Sequence, residues 1–297
     1  MKEFAVKGTR IAIAPYVLIA PAQLLVIALI FIPALYVLFL SFHTSSFGAQ
    51  PIFVGLQNYA AILNDGYFWR ALTNTVIVIL IVVHAEILIG LGMALLLASW
   101  KWGRPAILAI ILAPYAVTEA SAVVIWRFLF DPQMGVVGQA LTAMGLPTLE
   151  WAVEPMHGLI MVSLLSVWLH LPFTFIILYA ARLAIPTDLY EAGAIDGATP
   201  WQQFRRLTLP LLLPAMLIAM LFRYIFAFRL FSEVWLLTGG GPARTTEVSA
   251  VYLYLEAFRY HSFGTASATG WLLVLASFGL AYVYLRSIYK EMFRGQA

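Results

Sequence analysis

"ALTNTVIVILIVVHAEILIGLGMALLLASW", Ala71–Trp100, is a near-continuous apolar run interrupted only by isolated polar residues. A helix needs about 20 apolar residues, at about 1.5 Å rise each, to cross the hydrocarbon of a bilayer. This run has that length, and its two ionisable side chains, His84 and Glu86, fall near its middle. A soluble fold would have to hide such a helix completely. The rest of the chain argues against that: 63% of its 297 residues are hydrophobic and only 10% are charged, against about 25% charged in soluble domains. Mean hydropathy is +0.91. So much apolar surface has too few charges to cover it, and lipid is the solvent the composition implies.

Five further runs qualify as spans, giving six: Ile11–Phe42, Ala71–Trp100, Pro105–Phe130, Gly158–Arg182, Pro210–Leu237 and Ala266–Leu285. The first follows Lys2, Lys7 and Arg10, as a secretory signal would, but its apolar core is too long for one. The fold class expected is an all-α integral membrane protein, one membrane domain over residues 1–297.

An even number of spans puts both termini on one side. Lys2, Lys7, Arg10, Lys101, Arg104, Arg182, Arg205, Arg206, Arg286, Lys290 and Arg294 share that side, and only Arg70, Arg244 and Arg259 lie opposite. The positive-inside rule then makes both termini and the 183–209 stretch cytoplasmic. A formal charge of +3 gives no reason to invoke nucleic acid. The lack of cysteine excludes disulfides, thiolate metal sites and cysteine nucleophiles.

The cytoplasmic stretch is organised. Asp188 as N-cap with Glu191 three residues on predicts a short helix to Ala194 or Ile195. Asp196-Gly197 signals a turn. Thr199 as N-cap, Pro200 at N1 and Gln202 at N3 restart a helix. The small residues Ala192, Gly193 and Ala194 leave room for another backbone. On physical grounds alone, self-capping and partner docking are equally good readings of this helix-turn-helix hairpin.

The stretch "EAGAIDGA…LTLP" resembles the EAA loop of ABC importer permease subunits, with Glu191, Ala192, Asp196, Gly197, Ala198, Leu207, Leu209 and Pro210 in register. Gly193 stands where that family usually has alanine, which costs a helix about 0.8–1 kcal/mol. "FVGLQNY" (53–59), "ALTNT" (71–75), "LAPYAVTEASAVVIWRFLFDPQMG" (112–135) and "LTGGGPARTTEV" (237–248) are similar to carbohydrate permeases of the maltose and glycerol-3-phosphate type.

The resemblance implies a second homologous permease, two ATP-binding subunits, an extracytoplasmic solute-binding protein and a bacterial cytoplasmic (inner) membrane. In that arrangement Glu191 anchors the ATPase contact, Ala194 and Ile195 pack into its groove, and Gly197 makes the turn. The chain has no GxxxxGK[ST] loop, so no cofactor is expected on it, and ATP and Mg belong to the partner subunits.

Ionisable groups within spans usually face protein or a cavity. His84, Glu86, Glu119, Arg127, His170, Arg223, Arg229 and Glu233 are such groups. Arg229 and Glu233, one helical turn apart in an unbroken span five, could pair. A sugar needs aromatic faces and hydroxyl partners. Tyr115 and Glu119 in span three, and Tyr224, Phe228, Arg229, Ser232 and Trp235 in span five, are the candidates. The embedded arginines also suit an anionic sugar derivative. The competing class is a proton-coupled secondary transporter relaying through His84, Glu86 and Glu119, although six spans without a visible repeat speak against it. The signatures of a membrane-embedded enzyme, such as HExxH, are missing.

Overall fold

A computed structural model of the chain describes residues 14–100 and 102–293, with side chains over 17–100 and 102–286. The basic N-terminal segment, Lys101, Lys290 as a side chain and Arg294 therefore lie outside the described side chains.

α1 (Ala14–Val26) and α2 (Ile32–Ser41) are joined by a π-helical turn, Ile27–Phe31. The turn sits just before Pro33, and Ile32 N donates five residues back to Ile27 O. A proline deletes one rung of the helical ladder, and a wider turn beside it lets the helix continue. A two-residue antiparallel pair, β1 (His43–Thr44) with β2 (Ile52–Phe53), leads to α3 (Gln57–Leu63). α4 (Gly66–Ser99) starts five residues earlier than the apolar run because Asp65 caps it, accepting from Tyr67 N.

The third expected span, Pro105–Phe130, is sharply bent. α5 (Arg104–Leu112) passes through a 3₁₀ turn (Ala113–Ala116) to α6 (Glu119–Leu129), at 103°. Pro114 cannot donate to the ladder, and Thr118 then caps a new helix by accepting from Ser121 N. α7 (Val136–Ala143) and α8 (Pro155–Leu183) follow.

The predicted hairpin is α9 (Asp188–Ile195) and α10 (Pro200–Gln203), which runs through a second π turn, Phe204–Thr208, into α11 (Leu209–Ala227). Leu209 N bonds back to Phe204 O immediately before Pro210, repeating the device of the first span. Span five also ends early, at Ala227. α12 (Ser232–Leu237) is a separate short helix, followed by α13 (Ser249–Tyr254) and α14 (Phe263–Phe293). Among the described residues five helices are long and apolar enough to cross a bilayer, or six if the bent pair counts as one span.

α4 and α8 form the central pair. They approach closely at Gly90, where an added Cβ would stand 3.3 Å from Thr174 Cγ2 and 3.5 Å from the Phe175 backbone nitrogen. In lipid there is little hydrophobic drive between helices, so such close packing carries the association. Two apolar clusters bracket this pair. One holds Val78, Val82, Leu165, Leu169, Val234 and Leu237. The other holds Leu91, Leu97, Phe175, Leu178, Ile185 and Leu212 toward the hairpin. The polar groups of the spans lie between the two.

Candidate functional site

The hairpin closes on itself in the way its residue types dictate. Gly197 takes φ +78°, which glycine adopts without a Cβ penalty. Ala198 N donates to Gly193 O at 2.9 Å and Gly197 N to Ala194 O at 3.0 Å. These two bonds make a Schellman ending for α9. The Thr199–Gln202 box forms as expected: Gln202 N donates to Thr199 Oγ1 at 3.3 Å, and Thr199 N donates to Gln202 Oε1 at 2.8 Å. The start of α9 departs from expectation. Thr187 holds the N-cap position, Asp188 is already helical, and no side chain caps the turn. Asp188 and Glu191 act there through charge, as acids in the first turn of a helix.

The hairpin is anchored rather than hung. Gln203 Nε2 donates to Tyr190 O at 3.1 Å, and the Tyr190 hydroxyl meets Thr208 Oγ1 at 2.9 Å. The Arg182 guanidinium sits 4.4 Å from the Tyr190 ring centroid. These contacts tie α9 to the ends of α8 and α11. Glu191, Ala192, Ala194, Asp196 and Gly197 face outward, and Ala198 is half-buried against the turn. Ile195 is 86% exposed at the tip. Trp201 and Leu189 of the same hairpin are exposed as well, at 66% and 42%, so it presents apolar side chains beside its acids.

A second feature lies in the body of the bundle. The elbow of span three, the middle of α8 and the break between α11 and α12 enclose a cleft of about 560 Å³. Tyr115, Glu119, Arg229 and Ser232, four of the residues expected to meet substrate, line it. The other three do not. Tyr224 is buried against Ile79 and Val83, its hydroxyl 3.5 Å from His84 Nδ1. Phe228 turns to an apolar groove with Leu253, Tyr254 and Val274. Trp235 stacks on Phe231 and lies 4.8 Å from the Tyr254 ring. An unbroken helix would have put Tyr224, Phe228 and Trp235 on neighbouring faces with Arg229. The break over residues 228–231 separates them.

The same break overturns the Arg229–Glu233 pair. Glu233 bonds instead to His170 Nε2 on α8, at 3.4 Å. Arg229 is exposed, with no side-chain partner among the described residues. Arg223, in the cleft wall, is held by Glu86: Nε to Oε2 at 2.5 Å and Nη2 to Oε1 at 2.7 Å. Thr174 Oγ1 donates to the same carboxylate at 3.4 Å. Glu86 is fully buried. His170, Glu233, Arg223, Phe173 and Phe231 also line the cleft. The first three carried a sequence signal as ionisable residues inside apolar runs, whereas the two phenylalanines carried none.

A third network fixes the segment after α12. Asn74 Nδ2 donates to the carbonyls of Thr245 and Glu247 at 2.8 and 2.9 Å. Arg244, at φ +61°, grips both oxygens of Glu247 and lies 4.2 Å from the Tyr67 ring centroid. The ion pair raises the Arg244 pKa further, so this cation keeps its charge at any working pH.

The chain resembles known proteins over most of its length. It is 33% identical over 276 residues to a trehalose/maltose transport system permease protein of Thermococcus litoralis, covering 91% of this chain and 92% of that protein. It is 32% identical over 283 residues to an sn-glycerol-3-phosphate transport system permease protein of Yersinia pestis, covering 94% and 95%. A bacterial alginate ABC transporter, solved with an alginate pentasaccharide-bound periplasmic protein, contains a chain of the same fold. Its TM-score is 0.80 at 20% identity, covering 91% of this chain and 92% of that one. Broken helices also occur in secondary transporters, so the bent third span alone would not choose between the classes. Residues 15–290 match the inner membrane component of binding-protein-dependent transport systems, and the chain belongs to that family.

Proposed function

We propose that the chain is one of two permease subunits of a sugar or polyol importer, driven by ATP hydrolysis on separate subunits. The observation that carries this is the hairpin: a clamped, doubly capped element with Ile195 bare at its tip. Ala194 and Ile195 seat in a groove of an ATP-binding subunit, Glu191 and Asp196 meet its polar rim, and Gly197 with Ala198 sets the turn between the two short helices. Movement of the ATPase dimer reaches α8 and α11 through Tyr190, Gln203 and Arg182.

The polar cleft forms part of the substrate path, loaded from outside by a solute-binding protein. Both termini face the cytoplasm, as the distribution of Lys and Arg requires. ATP and Mg stay on the partner subunits. The proton-relay alternative loses its middle carrier, because Glu86 is already committed to Arg223.

The natural absence of cysteine supplies the test. A single cysteine at Ala194, labelled in native membranes with a cytoplasmic photo-crosslinker, is expected to capture an ATP-binding subunit. One at Gly240, beyond α12, is expected not to. Complete labelling at Ala194 without ATPase capture would overturn the coupling role.

A further inference from the structure

Relatives of this chain serve both neutral and charged solutes by name, a trehalose/maltose system and a glycerol-3-phosphate system among them. The ion pairing of the cleft bears on which kind this chain accepts. An anionic substrate buried in a low-dielectric site needs a cation with charge to spare, since a buried unpaired charge is prohibitively costly. Arg223 looks like that cation in the sequence, but Glu86 occupies its fork with two bonds, at 2.5 and 2.7 Å. His170 faces Glu233 at 3.4 Å. Arg229 is the remaining free cation of the lining among the described residues, and Glu119, in the same lining but not bonded to it, offsets its charge in the sum. Counting the buried Glu86 together with the Arg223 it holds, the wall carries no net positive charge, whether His170 is neutral or protonated.

What the wall does offer is capacity for hydroxyls. Glu233 is 3% exposed, yet its carboxylate makes one contact, of 3.4 Å, and neither oxygen is sealed away without a partner. Its second oxygen thus opens on the cleft as an acceptor. Arg229 supplies donors, and Tyr115, 56% exposed at the elbow, supplies a ring face for C–H surfaces.

We infer that this chain accepts an uncharged polyhydroxylated saccharide and excludes phosphorylated, sulfonated and uronate sugars. The inference rests on reading the cleft as part of the substrate path.

The test is uptake in the native cells, with the gene for this chain deleted and then restored. Three neutral probes (maltose, trehalose, diacetylchitobiose) are set against three anions (sn-glycerol 3-phosphate, sulfoquinovosyl glycerol, an alginate oligosaccharide). Gene-dependent accumulation of a neutral probe is expected, at least about tenfold faster than of any anion, the ratio that one lost charge-assisted contact gives. Arg229→Gln is expected to slow neutral uptake by no more than about tenfold, since it removes hydrogen bonds and no counter-charge. Faster uptake of an anion, abolished by Arg229→Gln, would overturn the charge assignment and leave the importer reading standing. Neutral uptake that survives ATP depletion but collapses with a protonophore would leave the charge assignment and overturn the importer reading. No gene-dependent uptake of any of the six would overturn both.

Discussion

Arg223 on α11 holds both carboxylate oxygens of Glu86 on α4, and Glu86 is fully buried where α4 packs on α8. The two residues lie 137 positions apart. Neither has another ionic partner among the described residues at bonding distance. The pair thus joins the two halves of the bundle at the depth of the cleft, and each charge depends on the other for its place in lipid.

Removing one member should therefore cost more than removing both. Arg223→Ala strands the Glu86 carboxylate, and breaking a buried pair costs about 3–5 kcal/mol. The double variant Arg223→Met/Glu86→Leu replaces the pair by apolar volume, a change often neutral or stabilising. Thermal unfolding of the assembled complex in detergent is expected to show a large loss for the single variant and recovery of most of it in the double. Equal losses in both would mean that the pair's shape, not its charge, holds the helices.

Gly193 and Gly197 differ in the structure as their sequence contexts predict, one helical and one in the turn. Gly197 takes φ +78°, a conformation L side chains rarely adopt, although open space surrounds it. Gly197→Val should strain the backbone by about 1–2 kcal/mol and turn the tip, cutting transport while leaving the unfolding of the spans almost unchanged. Transport at the parent rate would mean that the turn is not mechanical.

Gly193 is helical, and a Cβ there would meet Gln203 Nε2 at 3.5 Å, an ordinary contact. Gly193→Ala should be accepted and firm α9 by up to about 1 kcal/mol, read as slower hydrogen exchange over residues 188–195. Faster exchange would show that Gln203 cannot give way.

The clasp behind α12 makes a separate prediction. Asn74 is 8% exposed, and its amide serves two carbonyls 171 and 173 positions away. Asn74→Leu leaves both acceptors unserved, at about 1–3 kcal/mol for each buried group. Residues 238–248 should then become protease-sensitive in intact membranes, while α4 stays folded. Unchanged protection would assign the clasp to the Arg244–Glu247 pair alone.

The membrane class, the hairpin and its closing box were legible because each rests on local chemistry: apolar length, Thr199-Pro200 with Gln202, and Gly197 in a turn. The breaks in spans three and five were not. Pro33, Pro114, Pro210 and Pro214 all stand in apolar runs, yet Pro114 alone among them marks a sharp bend. Pro33 and Pro210 are absorbed at a helix start beside a π turn, and Pro214 inside α11. Arg229 was paired with Glu233 on an assumed straight helix, whereas the true partners of Glu233 and Arg223 lie on α8 and α4. Ionisable residues within apolar runs were a sound signal, but the pairing among them is tertiary information.

Glu256 offers a titration with a definite sign. It lies in the turn before α14, outside the spans, and burial pushes its carboxyl pKa above the ordinary 4.5, with the Arg244 cation opposing and Asp65 and Glu247 adding to the rise. A carboxyl whose folded-state pKa is raised keeps its proton more tightly folded than unfolded. Its contribution to stability is complete below about 4.5 and fades as pH climbs through the raised value. At neutral pH the charged, half-buried group is therefore a cost, and Glu256→Gln removes it. The melting temperature of the variant should exceed the parent's at pH 7, with the gap closing as pH is lowered toward 4.5. A gap that persists at low pH would place the effect in packing. A variant less stable at pH 7 would mean that attraction to Arg244 outweighs burial.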